Sequence, residues 1–242
     1  MVLDNKQLLI GLYLAYFGRT LRYYDEIIYF HLKGDKSISE SFSTFISNQS
    51  EFHHSYSDAK STKQKINDLY NNLFCRDVDN DGLIYWSNLL DSNSKGINSL
   101  AYDLIYATYQ LTILNDSQAI EDYKTLLNKI EVCDFFIDII RNDNQYNALY
   151  NPISYKPWIS GYFIDEIQSF LRKVDCKYQP NFHILDNFIK NTFFNIHNQF
   201  PRPAIIMKNI SLDIPILGSE SRNIKRSIVN SVTGGALSKK KV

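Results

Sequence analysis

LYLAYFGRTLRYYDEIIYF (residues 12–30) and LYNNLFCRDVDNDGLIYWS (69–87) decide the fold. Laid over each other at an offset of 57 (69 minus 12), they put Leu12 on Leu69, Tyr13 on Tyr70, Phe17 on Phe74 and Arg19 on Arg76. Ile28 then meets Tyr85, and Tyr29 meets Trp86. Further along, ISESFSTFI (38–46) parallels INSLAYDLI (97–105), the offset having grown to 59. Two copies of one supersecondary unit, at 12–57 and 69–110, are the simplest account. Each copy reads as an apolar helix ending at an Arg, a short polar turn, an aromatic-rich helix, and a third helix opened by Ser or Asn. Leu69, Leu73 and Phe74 have helical spacing before the turn, as do Leu83, Trp86 and Leu90 after it. The alternation that strands require is missing. The expected fold is all-α, a helical repeat domain over residues 1–200.

The flanking sequence extends that reading. Ser117 can cap a helix running to about Arg141, with Leu126, Ile130, Cys133 and Ile137 along one side. After a loop containing Pro152 and Pro157, the spacing of Ile159, Phe163, Ile167, Phe170 and Leu171 predicts a helix from Trp158 to Val174. Pro180 can start another, to about Asn195, with Phe182, Leu185, Phe188, Ile189, Thr192 and Phe193 as its apolar face. These stripes are core positions rather than a cofactor box. LLIGLYLAYFG (8–18) has the length of a signal-peptide core, but Asp4 offsets Lys6 before it and no small-residue cleavage site follows. It is too short to span a bilayer and reads as a buried helix.

Composition sets outer bounds. A chain of 242 residues with 44% hydrophobic and 14% aromatic residues can bury a proper core, as one large or two small domains. Net charge is zero, so no global field points to nucleic acid or to a membrane surface. Residues 219–242 are the exception, with one acid (Glu220) against six bases (Arg222, Lys225, Arg226, Lys239, Lys240 and Lys241). Cys75, Cys133 and Cys176 are odd in number, lack CxxC spacing and sit in apolar contexts, which suits buried free thiols in a reducing compartment. His53 and His54 point apart on any regular element, and His183 and His197 lie too far apart along a helix to share a metal. GxSxG, HExxH and the P-loop pattern are absent.

The turn RDVDNDG (76–82) supports two readings. In one, Asp79 or Asp77 caps the helix Leu83–Leu90, Arg76 pairs with a nearby acid, and Gly82 relieves a tight approach. In the other, Asp77, Asp79, Asp81 and Gly82 match positions 1, 3, 5 and 6 of a calcium-binding EF-hand loop, with Ile84 suiting position 8. Position 12 would be Asn88, which offers no bidentate carboxylate. The aligned positions of the first copy are Thr20, Arg22 and Tyr24.

Here the residues reach a resemblance. LYNNLFCRDVDNDGLIYW resembles the LYxxxLGRxxDxxGLxYW signature of a bacterial domain-of-unknown-function family, found in tandem in S-layer and RTX-type surface proteins and distantly similar to phycobilisome linkers. Leu69, Tyr70, Phe74, Arg76, Asp79, Gly82, Leu83, Tyr85 and Trp86 carry the match. Cys75 replaces the usual Gly, which Gly18 keeps in the first copy. TLLNKIEVCDFFIDII (125–140) is similar to a helix that follows the repeats, so the resemblance spans roughly residues 5–175. It implies an all-α fold, surface or glycan association and no established catalysis, with Arg76, Asp79, Gly82, Tyr85 and Trp86 as structural signature residues.

From Pro203 the character changes. AIIMKNISLDIPIL (204–217) is strand-like and SESRNIKRSIVNSV (219–232) is a basic, helix-like run. Together they resemble the opening of the ATP-binding subunits of polysaccharide-exporting ABC transporters of the O-antigen and teichoic-acid type. The match rests on Lys208, Asn209, Ser211, Asp213, Pro215, Ile216, Gly218, Ser219, Ser221, Arg222, Lys225 and the run Thr233, Gly234, Gly235. Residues 201–242 are thus expected to begin a truncated α/β ATP-binding domain whose Walker and signature segments would lie beyond Val242, so the chain as given should not hydrolyse ATP.

The two resemblances imply a non-catalytic helical module that binds a glycan or a partner, fused to the start of an exporter ATPase. It would sit in the cytoplasm, on the inner membrane through a transporter subunit. The alternative is a secreted or cell-surface anchoring protein that binds lipopolysaccharide, with calcium as the one candidate cofactor. A hydrolase with a scattered site is a weaker third. Nucleic acid is not an expected partner.

Overall fold

Asp4 starts the first helix. Its carboxylate accepts the Gln7 amide at 2.8 Å while the Gln7 side chain accepts the Asp4 amide at 3.0 Å, a reciprocal box that satisfies two otherwise unpaired donors. The computed structural model describes residues 3–21, 37–92, 94–141, 154–155, 158–159 and 162–199. All of them lie in the first of the two units into which the chain divides, Met1–Pro201 and Arg202–Val242. In order they form α1 (Asn5–Phe17), α2 (Ile38–Ile46), α3 (Ser50–Ser55), α4 (Thr62–Phe74), α5 (Asn80–Asp91), α6 (Ile97–Ile113) and α7 (Ser117–Arg141). After β1 (Ser154–Tyr155) and β2 (Trp158–Ile159) come α8 (Tyr162–Leu171) and α9 (Phe182–Gln199). The fold is all-α, the two-residue antiparallel β1–β2 pair being a minor addition. The strand-like and basic runs after Pro203 and the aromatic segment 22–30 lie outside the described residues.

The signal-like run is a buried helix. Every residue from Leu9 to Phe17 is buried, because a helix apolar all round must be surrounded. α1 packs against α3, α4, α6 and α7.

The first helices of the two segments share local geometry. Ser61 and Gln64, 57 positions after Asp4 and Gln7, form the same capping box at the start of α4. α1 stops at Gly18 and α4 at Cys75, both left-handed, with φ of 61° and 59°. Tyr13 and Phe17 have ring centroids 5.6 Å apart, and their counterparts Tyr70 and Phe74 are 5.5 Å apart. The third helices touch: Asn98 on α6 donates to the hydroxyls of Ser43 on α2 and of Ser47 just after it, at 2.9 and 2.8 Å.

The structure adds a third copy of the first helix. Leu12, Leu69 and Leu126 follow at intervals of 57, and each is at most 1% exposed. α1, α4 and α7 pack pairwise. At the neighbouring positions Ala15, Asn72 and Lys129 the copies form a ladder. The Asn72 amide donates to the Ala15 carbonyl at 2.9 Å, and the Lys129 ammonium donates to the Asn72 carbonyl at 2.6 Å. Each copy thereby supplies a donor to a carbonyl near the C-terminal end of the copy before it, where helical partners run out.

Several boundaries differ from the sequence reading, among them the start of α5 at Asn80 rather than Leu83 and the end of α8 at Leu171 rather than Val174. The cap of α7 is Asp116, which accepts the Ala119 amide at 2.7 Å, and Ser117 is the first helical residue. Trp158 and Ile159 are extended and pair with Tyr155 and Ser154, so the helix begins only at Tyr162. α9 is capped by Asn181, which accepts the His183 and Ile184 amides at 3.0 and 3.2 Å. Leu185, Ile189 and Thr192 are buried on α9, whereas Phe182 is exposed.

Candidate functional site

The signature turn of the second copy builds one wall of a groove. Asp79 is the cap: its Oδ1 accepts the Gly82 amide at 2.7 Å at the head of α5. That hydrogen bond, helped by nearby Arg76, holds the Asp79 carboxyl below its usual range. Gly82 sits at a close approach, since a Cβ there would lie 3.1 Å from both the Tyr70 hydroxyl and Val78 Cγ2. The turn is tied back to α4 by the Val78 amide, which donates to Asn67 Oδ1 at 3.0 Å.

Arg76 crosses to α7. Its Nε and Nη2 donate to the two oxygens of Asp122 at 2.9 and 2.7 Å, and its Nη1 donates to the Asp77 carbonyl at 3.0 Å. The guanidinium stands 5.1 Å from the Tyr70 ring centroid, and Asp79 Oδ2 is 3.5 Å from Nη1. Hydrogen bonding to Asp122 raises the affinity of Arg76 for its proton. The equivalent Arg19 is sealed, its fork clasped by both oxygens of buried Glu51 and its charge lying over Tyr13 and Phe17. Arg76 is instead about a quarter exposed.

Trp86 and Tyr85 divide two tasks. Trp86 is buried and donates its indole N–H to the Tyr70 hydroxyl at 3.0 Å. Burial pushes the Tyr70 hydroxyl up, partly offset by that bond. Tyr85 is 58% exposed, with its ring edge-on to Trp86 at 4.8 Å. The groove beside it has a volume of about 520 Å³. Tyr85 and Asp81 of α5, Gln110 and Leu111 of α6, and Asp116 and Gln118 at the head of α7 line it.

The capping reading of the turn therefore holds. The three aspartates of the calcium reading do not converge. Asp79 caps and pairs with Arg76, Asp77 Oδ1 accepts the Asn71 side-chain amide at 2.7 Å, and Asp81 stands in the first turn of α5. Among the described residues no group of three or more His, Cys, Asp or Glu side chains is placed to hold a metal ion. Of the signature residues, the structure brings Arg76, Asp79, Gly82, Tyr85 and Trp86 onto one groove. Asp122, Gln110, Asp116 and Gln118 were missed: they lie on elements whose nearness only the fold reveals. All three cysteines are free, Cys133 buried and Cys75 and Cys176 half-buried. The Cys75 thiol points at the Arg172 and Val174 carbonyls, at 3.4 and 3.3 Å.

Residues 43–100 match the model of a family described as a domain of unknown function (DUF4214). The match runs from within α2 into α6 and contains the whole second-copy signature, the part of the chain that carries the resemblance. It covers less of the chain than the span of 5–175 expected from the sequence, leaving out the first-copy signature and the 125–140 helix. No curated protein and no solved structure matches the chain.

Proposed function

We propose that the helical unit is a non-catalytic module that binds a glycan in the groove between α5, α6 and α7. The observation that carries this reading is Tyr85, an exposed aromatic face on a groove whose other walls offer carboxylates and side-chain amides. A sugar ring has one face of weakly apolar C–H groups and a rim of hydroxyls, each both donor and acceptor. An exposed ring fits the first, and acceptors and amides fit the second. Trp86 and Tyr70, joined by a hydrogen bond beneath, hold the platform rigid.

The electrostatics favour binding over catalysis. General acid–base work calls for groups pushed toward neutral pH. In this groove Asp79 is shifted down and Tyr70 up, both away from it. Arg76 and Asp122 spend their hydrogen bonds on each other. The resemblance of residues 203–241 to exporter ATPases supports a polysaccharide as the glycan, handled on the cytoplasmic face of the membrane beside a transporter subunit. Among the described residues no helix is long and apolar enough to cross a membrane.

A glycan array probed with the fluorescently labelled chain tests the reading. Retention on a defined set of glycans, abolished by Tyr85→Ala, is expected. Background signal on every glycan would sink it.

A further inference from the structure

The aromatic wall says that a ring stacks; the charge on the remaining walls says which rings are welcome. Four carboxylates line the groove, Asp79, Asp81, Asp116 and Asp122. Among the described lining residues Arg76 is the one cation. Its fork is engaged by Asp122 and the Asp77 carbonyl, and Asp79 lies against it. One positive charge against four negative ones leaves the lining at −3. Arg76 is about a quarter exposed, and its charge is balanced by the carboxylates that hold it. With its one guanidinium already paired, the net negative lining disfavours a carboxylate, phosphate or sulfate.

Asp81 and Asp116 have no cation beside them in the lining. Asp116 gives one oxygen to the Ala119 amide at 2.7 Å and keeps its second for another donor. Asp81 stands exposed one turn below Tyr85 on α5, so a ring stacked on Tyr85 has this carboxylate at its edge. Gln118 donates to Asp122 at 3.0 Å, which leaves its carbonyl oxygen as a further acceptor. Acceptors and negative charge beside a stacking platform suit a ring that carries ammonium as well as hydroxyl groups.

We infer that the groove selects amino-sugar glycans with free amines, Tyr85 stacking the ring and Asp81 and Asp116 receiving the ammonium groups. This rests on the glycan-binding reading above and specifies its ligand. It also departs from lipopolysaccharide, the partner of the alternative sequence reading, whose phosphates the lining disfavours.

The test is calorimetric titration of the whole chain, in mildly acidic buffer that protonates sugar amines, with three probes of matched length: a β-1,4-glucosamine hexamer, its fully N-acetylated counterpart and a galacturonic acid hexamer. The free-amine hexamer should bind at least tenfold more tightly than the N-acetylated one and weaken as salt is raised, because exposed charge pairs are screened. The acidic hexamer should not bind. Asp81→Asn combined with Asp116→Asn keeps the α7 cap acceptor and should erase the preference for the amine without moving the melting temperature. Equal affinity for the first two hexamers, tighter binding of the acidic one, or a preference untouched by the double variant would overturn the inference. If array glycans bind but none of these hexamers does, the amine assignment fails while the binding module stands. If the array is blank as well, both fail.

Discussion

Arg19 and Arg76 occupy equivalent positions and meet different surroundings, and this difference is measurable. Arg19 and Glu51 are both almost completely buried, so removing one partner strands a charge in the interior. Glu51→Ala should cost about 3–5 kcal/mol. Arg76 is about a quarter exposed, and water can replace part of what Asp122 supplies. Asp122→Ala should cost about 1.5–3 kcal/mol. Urea unfolding of the two variants checks the order, and equal costs would contradict the contrast between a sealed pair and an open one. Cys75 supplies a second test at this scale. It holds φ 59°, a conformation that favours glycine, at the position where the first copy has Gly18. Cys75→Gly should raise stability by about 0.5–1 kcal/mol in thermal unfolding. A loss would mean that its sulfur contacts outweigh the strain. Single residues were read from sequence wherever the chemistry is local: the Asp79 cap and the Gly82 approach depend on neighbours within a few positions or on the preceding helix. The Arg76 partner was legible only as some acid, because Asp122 is 46 residues away.

Periodicity and the two-copy repeat disclosed most of the elements, but the equivalence of α7 with α1 and α4 was hidden. At offsets of 57 from Tyr70, Phe74, Cys75 and Arg76, α7 has Leu127, Glu131, Val132 and Cys133. The left-handed stop and the arginine are gone, and the helix runs on to Arg141. What survives is Leu126 in the core and Lys129 in the ladder, too little for a signature and enough for packing. Trp158 was read as helical because the spacing of the residues after it is helical; strand pairing with Tyr155 takes it out of that pattern. The ladder itself predicts that Lys129→Met will cost about 1–3 kcal/mol in chemical unfolding, since carbonyls at the end of α4 lose their donor. Unchanged or increased stability would show that desolvation of the ammonium, which lowers its proton affinity, cancels what its hydrogen bonds contribute.

Across the whole molecule, buried hydroxyls and a thiol couple folding to alkaline pH. Burial pushes Tyr16 and Tyr56 well above the ordinary value near 10 and moves Cys133 from 9.0 to about 12. Each of these groups holds its proton longer when folded. Its contribution is fully present below the unfolded value and is lost as pH rises toward the folded one, by about 1.4 kcal/mol per pH unit for each proton retained. Lys129, lowered by burial, works in the opposite direction below 10.5 and offsets one of them. The midpoint of guanidinium unfolding should therefore change little from pH 9 to pH 10, where Cys133 and Lys129 oppose each other, and fall from pH 10 to pH 11.5 as the tyrosines join; a flat profile over the second range would mean that these groups reach solvent in the native state. The all-α class and the buried first helix were legible because long apolar stripes leave little choice of structure. The groove was not, since it forms where α5, packed on α4, comes up to the directly packed pair of α6 and α7. Whether it binds a glycan, as proposed, is decided most directly by calorimetric titration of an array-selected glycan into the intact chain and into Tyr85→Ala. The account predicts saturable one-site binding to the first and at least a tenfold loss in the second, at an unchanged melting temperature. Equal affinity in both, or no heat in either, would contradict it.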